Sequence, residues 1–386
     1  MFNRITLFIF SKNVKNANNN TRLLSRWVSR KPVRVISSED YNEEEDGPII
    51  KPQEQEKPLL PRNSKPLTIS KRSQAPKITL DMLETTIDEA GNFIYTKMKD
   101  QDTRVTSILT QIKSQNVRDK KDLILLEGKR LIKDALDANC KLEYILFSRF
   151  KEVEYLRPSL PKVGANLYKM PYKEIQMWSN LTTSPGIMGI FKVPDVENHM
   201  PARDSIPLTV ICDNVREADN LGAIMRTCHG VGCKEILLTK GCVNVWDSKV
   251  LRSACGAHFK LRIQKQFDWN CYGDFIPPNS NVFVADNRVI SLNTIDEKYD
   301  EMVLRNVINS IPVIPYYSAN FSQAEHNVLI VGGETEGVSE QSYKLVSQMK
   351  GTRLNIPLGN DVDSLNVGTA LGILVFEIKR QFMLSK

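Results

Sequence analysis

The sequence predicts an α/β protein in which a parallel-sheet domain over 204–386 follows a small α/β module over 101–200. Three observations carry this. An apolar strand at 208–212 leads into a helix at 221–230 and a second strand at 235–239, a βα unit whose repetition builds a parallel sheet covered by helices. Apolar runs at 282–285, from Val328 and at 353–357 add strands that end in polar or glycine-rich turns. After the last of them Val367, Ala370, Leu371 and Leu374 recur at helical spacing.

The chain has 386 residues and a formal net charge of +7. Residues 1–38 hold eight Lys or Arg and no acid, the composition of a mitochondrial transit peptide that directs import to the matrix; a basic arm that touches RNA is the alternative. Without them 44 basic residues face 45 acidic ones, so any RNA affinity of the remainder must come from a local patch. Residues 39–100 read as a disordered linker with a short helix at 78–99.

In the module, Val105, Ile108, Leu109 and Ile112 form a helical stripe, and a strand from Leu123 turns at Gly128 into a helix at 129–138. Strands follow at 144–147, 167–170 and 187–191, the last after the turn Ser184-Pro185-Gly186. Residues 101–200 carry 16 basic and 12 acidic residues, with eight of the cations between Arg104 and Lys133. Lys120, Lys121, Lys129 and Arg130 are therefore the candidate RNA contacts, although a solvated helix face gives the same pattern. Residues 201–206 read as a hinge, and 286–326 as a polar, loop-like insertion. Seven cysteines without a CxxC pair read as reduced structural thiols, and four scattered histidines give no metal site. The longest apolar runs fall short of the roughly 20 residues of a membrane span.

Three stretches carry the chemistry. They are Asn220-x-Gly222-x-x-x-Arg226, Gly333-Glu334-x-x-Gly337, and Ile356-Pro357 with Ser364-Leu365-Asn366, each at the end of an expected strand. Singly they have plain readings: Asn220, Ser364 and Asn366 as helix caps, Arg226 as a surface arginine beside Glu217 or Asp219. Together and in this order they resemble the signature motifs of the SpoU (TrmH) family of RNA ribose 2'-O-methyltransferases, within the trefoil-knotted SPOUT class. Leu126-Glu127-Gly128-x-Arg130 and Thr183-x-Pro185-Gly186 resemble the small L30e-like substrate-binding domain found ahead of SpoU catalytic domains. The segment 244–259 resembles a further family stretch whose lysine and arginine, here Lys249 and Arg252, face the catalytic site and the RNA. The resemblance covers about 103–386.

The resemblance implies S-adenosyl-L-methionine as cofactor, its adenosine held by backbone at Gly332, Gly333, Ile356 and Leu365. It implies a catalytic set of Asn220, Arg226, Glu334, Ser364 and Asn366. Guanidinium pKa values exceed about 12, so Arg226 is expected to orient ribose and phosphate and to stabilise charge, the base role being the family's other proposal. One departure stands: Asn360 occupies a position where the family commonly has glycine, with Gly359 one step earlier; asparagine accommodates left-handed backbone. The resemblance further implies a homodimer joined at the knotted helix. It points to a guanosine in mitochondrial large-subunit rRNA, with tRNA ribose methylation as the alternative within the class. A catalytically silent, RNA-binding ribosome assembly factor is the alternative outside it. The presence of all five polar site residues weighs against the silent factor.

Overall fold

A computed structural model describes residues 86–88, 91–113, 122–287, 299–334 and 337–385. The leader at 1–38, the linker up to 85, and Lys120 and Lys121 lie outside the described residues.

The N-terminal part runs β1 (Thr96–Lys97), α1 (Thr103–Lys113), β2 (Leu123–Glu127), α2 (Lys129–Asp137), β3 (Leu142–Phe147), α3 (Phe150–Glu154), β4 (Asn166–Lys169), α4 (Tyr172–Trp178) and β5 (Ile187–Lys192). Its five-stranded sheet has the order β1-β4-β3-β5-β2, with β5 antiparallel to both neighbours and the other pairs parallel. The stripe of α1 buries Val105, Leu109 and Ile112 against this sheet.

The expected helix at 78–99 is absent from its described part. Ile87 and Phe93 instead form an antiparallel bridge, and β1 joins β4 at Thr96↔Tyr168 and Lys97↔Lys169. An edge strand of two exposed residues carries no apolar alternation, so nothing in the sequence signals it.

The C-terminal part runs β6 (Ile206–Asp213), α5 (Ala218–Val231), β7 (Cys233–Thr239), α6 (Ser248–Ala254), β8 (Arg262–Phe267), β9 (Asn281–Ala285), α7 (Tyr299–Ser310), β10 (Val313–Pro315), β11 (Asn327–Gly332), α8 (Glu340–Gln348), β12 (Thr352–Asn355) and α9 (Val367–Leu384). Its seven strands are all parallel, in the order β10-β12-β9-β11-β6-β7-β8. The central strands β6 and β11 are buried along nearly their whole length, as helices on both faces of a parallel sheet require. The segment after β5 is fastened to β8, where the Ile263 amide donates to the Val196 carbonyl at 2.9 Å and Arg262 Nε to the Glu197 carbonyl at 3.0 Å.

Of the expected loop at 286–326, residues 288–298 lie outside the described residues, and the described part from 299 is built into the domain. It contributes α7 and the edge strand β10, buries Ile308, Ile311 and Phe321, and sets Phe321 edge-on to Phe283 at 5.0 Å. Strand β10 spans three residues that end in Pro315, which hides it from a pattern search. All seven cysteines are free thiols, and burial pushes Cys212 well above its ordinary pKa.

Two histidines are buried and neutral. His258 is fully buried, its Nε2 donates to the Val245 carbonyl at 2.7 Å, and burial pushes its pKa down to about 4. Nε2 of His326 lies 2.9 Å from Thr209 Oγ1, whose hydroxyl donates to Glu235 at 3.0 Å; burial lowers this pKa also to about 4. An unfolded histidine titrates near 6.5, so between about pH 6.5 and 4 the unfolded chain binds protons that the native state refuses. Stability should therefore fall as pH falls through that window and be unaffected by these groups above pH 7. For His258 the loss approaches about 3 kcal/mol at the acid end. Denaturant unfolding of the wild type and His258→Gln between pH 7.5 and 4.5 checks this: the variant should lose a measurable share of the slope, and an unchanged slope would contradict it.

Candidate active site

All three signature stretches lie at the carboxyl ends of adjacent strands in the order β12-β9-β11-β6, the edge where parallel sheets bind ligands. Helix α5 starts at Ala218, so Asn220 lies in its first turn and does not cap it. Asn366 does cap α9: its Oδ1 accepts from the amides of Gly368 at 3.0 Å and Thr369 at 3.3 Å. With that oxygen fixed, the Nδ2 group donates to Asn220 Oδ1 at 2.8 Å and to Glu334 Oε1 at 2.6 Å. One side chain thus ties the three stretches together. Ser364 makes no cap; it is exposed and lines the adjoining cavity.

That cavity has a volume of about 830 Å³. Gly332, Gly333, Ile356, Leu365, Glu334 and Asn366 are all in its wall, whereas Asn220 stands behind it. Gly333 is packed so closely that a Cβ there would sit 2.5 Å from the Asn214 carbonyl oxygen. Asn360 and Asp361 turn the loop after Ile356 with φ of 57° and 58°, so asparagine does take the left-handed conformation asked of it. The lining carboxylates are Asp286, Glu334 and Asp363; among the described residues no lysine or arginine lines the space, although the buried Arg353 pairs with Asp286 from behind at 3.2 Å. A backbone-walled, partly apolar cavity with that charge fits a ligand carrying an adenosine and a positive centre.

Arg226 is not part of this cluster. It lies one turn beyond Gly222, exposed, with no hydrogen bond or ion pair to another described residue. Gly222 has a packing reason. A Cβ there would meet Ser253 Oγ at 1.7 Å and the Val250 carbonyl at 2.9 Å, so the bare position lets α5 cross α6 closely. Lys249 and Arg252 on α6 are exposed as well, leaving cations on both of the crossed helices. In the N-terminal part Arg130 is exposed, while Lys129 pairs with Glu152 at 3.3 Å and lies 5.1 Å from the Tyr155 ring.

Two residues that the sequence analysis passed over shape the site. Asp213, fully buried at the end of β6, accepts from Ser339 N at 2.7 Å, Ser342 Oγ at 2.6 Å and Asn214 Nδ2 at 3.0 Å. Its backbone carbonyl also takes the Gly333 amide at 3.0 Å. Asn287 holds the backbone of Ile356 at both ends, donating to its carbonyl at 3.0 Å and accepting from its amide at 2.9 Å. Asp213 was readable as an acid closing an apolar strand; Asn287 carried no signal beside residues taken for a loop. Among the described residues no helix is long and apolar enough to cross a membrane, and no cluster of His, Cys, Asp or Glu is placed to hold a metal.

This parallel sheet, with three end loops drawn together around a cavity, is the SPOUT methyltransferase architecture. An rRNA methyltransferase from Sinorhizobium meliloti, solved with AdoMet bound, superposes with a TM-score of 0.59 at 19% identity, over 74% of this chain and 98% of that one. Residues 207–376 match the SpoU rRNA methylase family. The mouse protein "rRNA methyltransferase 3, mitochondrial" is 36% identical over 94% of this chain and 91% of its own length. A more distant relative, the Bacillus subtilis 23S rRNA (guanosine(2553)-2'-O)-methyltransferase RlmP, is 25% identical over 70% of this chain and 93% of its own length. The chain belongs to the SpoU rRNA methylase family.

The Asn366 bridge makes a separable prediction. Asn366→Asp keeps the capping oxygen, since Asp caps as well as Asn, but replaces both donors by an acceptor beside Glu334. Melting temperature should drop modestly, while methyl transfer falls about a hundredfold or more. Asn366→Ala should cost about 1 kcal/mol further through the lost cap. Calorimetry alongside tritiated methyl transfer separates the two effects, and wild-type transfer by the aspartate variant would deny the bridge a functional role.

Proposed function

We propose that this chain methylates the 2'-hydroxyl of a guanosine ribose in mitochondrial large-subunit rRNA, with S-adenosylmethionine as methyl donor. The observation that carries the reading is the Asn220–Asn366–Glu334 bridge beside a cavity lined by Glu334 and Asp363, neither of which has a cationic partner among the described residues. Family membership and the names of the mouse and Bacillus relatives support the same reading.

The cavity residues Gly332, Gly333, Ile356 and Leu365 hold the adenosine part through backbone, with Asn287 keeping the Ile356 peptide in place. When bound, the cofactor supplies a sulfonium methyl group, and the carboxylates of Glu334 and Asp363 favour its positive charge. Ser364 and Asn366 line the side of the cavity from which the ribose hydroxyl arrives. Arg226 is an exposed guanidinium without a partner among the described residues, suited to fork onto a phosphate and orient the ribose. Lys249 and Arg252 add cations on the neighbouring helix, and the N-terminal domain supplies a second RNA-binding surface. A homodimer fits the apolar face that α9 leaves uncovered, with Phe376 at 53% and Met383 at 68% exposure. The acid-free segment at 1–38 supports import into the matrix, and the mouse relative's name supports the mitochondrion alone.

Arg226→Ala should keep the fold and cofactor affinity but lose about two to three orders of magnitude in methyl transfer, the range expected for one charge contact made at the transition state. Lysine should rescue little, because an ammonium lacks the planar fork. Calorimetry of S-adenosylmethionine binding and tritium transfer to mitochondrial rRNA read the two effects, and near-wild-type turnover by the alanine variant would refute the role. Mapping 2'-O-methyl sites after depletion should lose one guanosine in the large-subunit rRNA; loss of a tRNA site instead would move the substrate.

Localisation has its own test. A reporter carrying residues 1–40 should enter mitochondria and be shortened there, and a diffuse cytosolic reporter would leave the basic segment as an RNA-binding arm.

A further inference from the structure

At the carboxyl ends of β3 and β4 the N-terminal sheet carries a cleft of about 710 Å³ that takes no part in the site described above. Lys97, Arg149 and Lys169 line it, and among the described residues no carboxylate does. Lys97 and Lys169 are neighbours in register on β1 and β4, and neither has a carboxylate partner among the described residues. Arg149 approaches one, Glu152, only at 3.9 Å and is 67% exposed.

Around these cations stand aromatic rings that folding leaves uncovered. Tyr95, Phe150 and Tyr172 are each 40% exposed. The first two are rigidly mounted: Tyr95 meets Phe150 edge-on at 5.1 Å, and both rest on the fully buried Phe147, at 6.0 Å and 5.6 Å. Tyr172 is pinned by a hydrogen bond from its hydroxyl to the Ser184 carbonyl at 3.0 Å. The Lys169 ammonium lies 4.2 Å from the Phe150 ring centre, so the cation is held at the aromatic surface.

Uncovered aromatic rings fixed to a core, interleaved with cations that have at most one long ion pair among the described residues, match a ligand that alternates phosphates with flat, unstacked bases. A duplex offers the phosphates but keeps its bases stacked inside. We propose that this cleft binds an unpaired stretch of the RNA substrate, with Lys97, Arg149 and Lys169 on phosphates and Phe150 and Tyr172 against bases. The inference rests on the RNA reading of the methyltransferase and moves recognition away from Lys129 and Arg130, which the sequence favours, to the strand ends beyond them.

The test uses the full-length protein and fluorescence anisotropy with an unstructured RNA octamer, a hairpin duplex of the same composition, and polyglutamate as competitor. Arg149→Gln with Lys169→Gln should weaken octamer binding about tenfold and reduce the salt slope by about 1.4, the value for two phosphate contacts on a single strand. Phe150→Leu should weaken it about fivefold or more with no change in salt slope, as loss of stacking alone would. Duplex affinity should change little in either variant. Wild-type octamer affinity in both variants, equal losses for octamer and duplex, or displacement by polyglutamate as effective as by RNA would each overturn the proposal. Calorimetric binding of S-adenosylmethionine, expected unchanged, verifies that the variants are folded. A wild-type protein that binds the octamer but never transfers methyl would remove the catalytic reading and leave the cleft standing.

Discussion

The side-chain amide of Asn366 is the point on which the site depends. An amide has two N–H donors and an oxygen with two lone pairs, and all four valences are used here. The oxygen is committed to the backbone of α9, so the ring of bonds admits only one orientation of the amide. The nitrogen then has one place to point, and it reaches residues 146 and 32 positions away in sequence. Helix capping and site assembly are therefore one interaction. Wherever α9 begins, Asn220 and Glu334 are gathered.

A second constraint works underneath. A buried carboxylate is costly unless its oxygens are paired, and Asp213 is paired by the backbone of Ser339, the hydroxyl of Ser342 and the amide of Asn214. These partners lie in the segments that follow β6 and β11, two strands paired side by side in the sheet. Asp213 thus fixes where the glycine turn after β11 begins and α8 starts, while Asn287 fixes where the chain after β12 leaves the sheet. The cavity wall is consequently made of backbone clamped from behind by side chains that no ligand has to touch. That arrangement allows bare glycine positions at the wall without leaving the loops slack.

Sequence analysis reads such a molecule unevenly, for physical reasons. Strands β6, β7 and β11 are buried on both faces, so they appear as continuous apolar runs bounded by polar residues, and the order βαβ follows from them. Edge strands escape because they are short and half in water: β1 has two residues and β10 three. The residues at 286–326 look polar because α7 buries only a narrow face, with Ile308 and Ile311 at its end. In the site, residue types at signature spacing were legible and their geometry was not. Asn220-x-Gly222-x-x-x-Arg226 reads as one motif, yet the helix splits it: Asn220 contacts α9, while Gly222 packs on α6 and Arg226, one turn along that same face, ends in solvent. Asp213 and Asn287 act by holding backbone, a role that leaves no spacing pattern.

The charge layout follows from a conflict built into the reaction. A methyl donor with a sulfonium is cationic and RNA is a polyanion, so a uniformly basic surface would hold one reactant while repelling the other. Beyond its leader this chain nets one negative charge and can draw RNA only through short-range patches, acting over the roughly 8 Å at which physiological salt screens exposed charge. The protein separates the two demands in space. The carboxylates of Glu334 and Asp363 face the cavity at its solvent side, Asp286 lies deeper and is paired with Arg353, and the exposed cations stand on α5, α6 and the N-terminal sheet. Arg226 belongs to the second set. Its place on α5, outside the bridge formed by Asn366, leaves Glu334 and Asp363 without a cationic partner among the described residues, whereas Asp286 is already paired with the buried Arg353 at 3.2 Å.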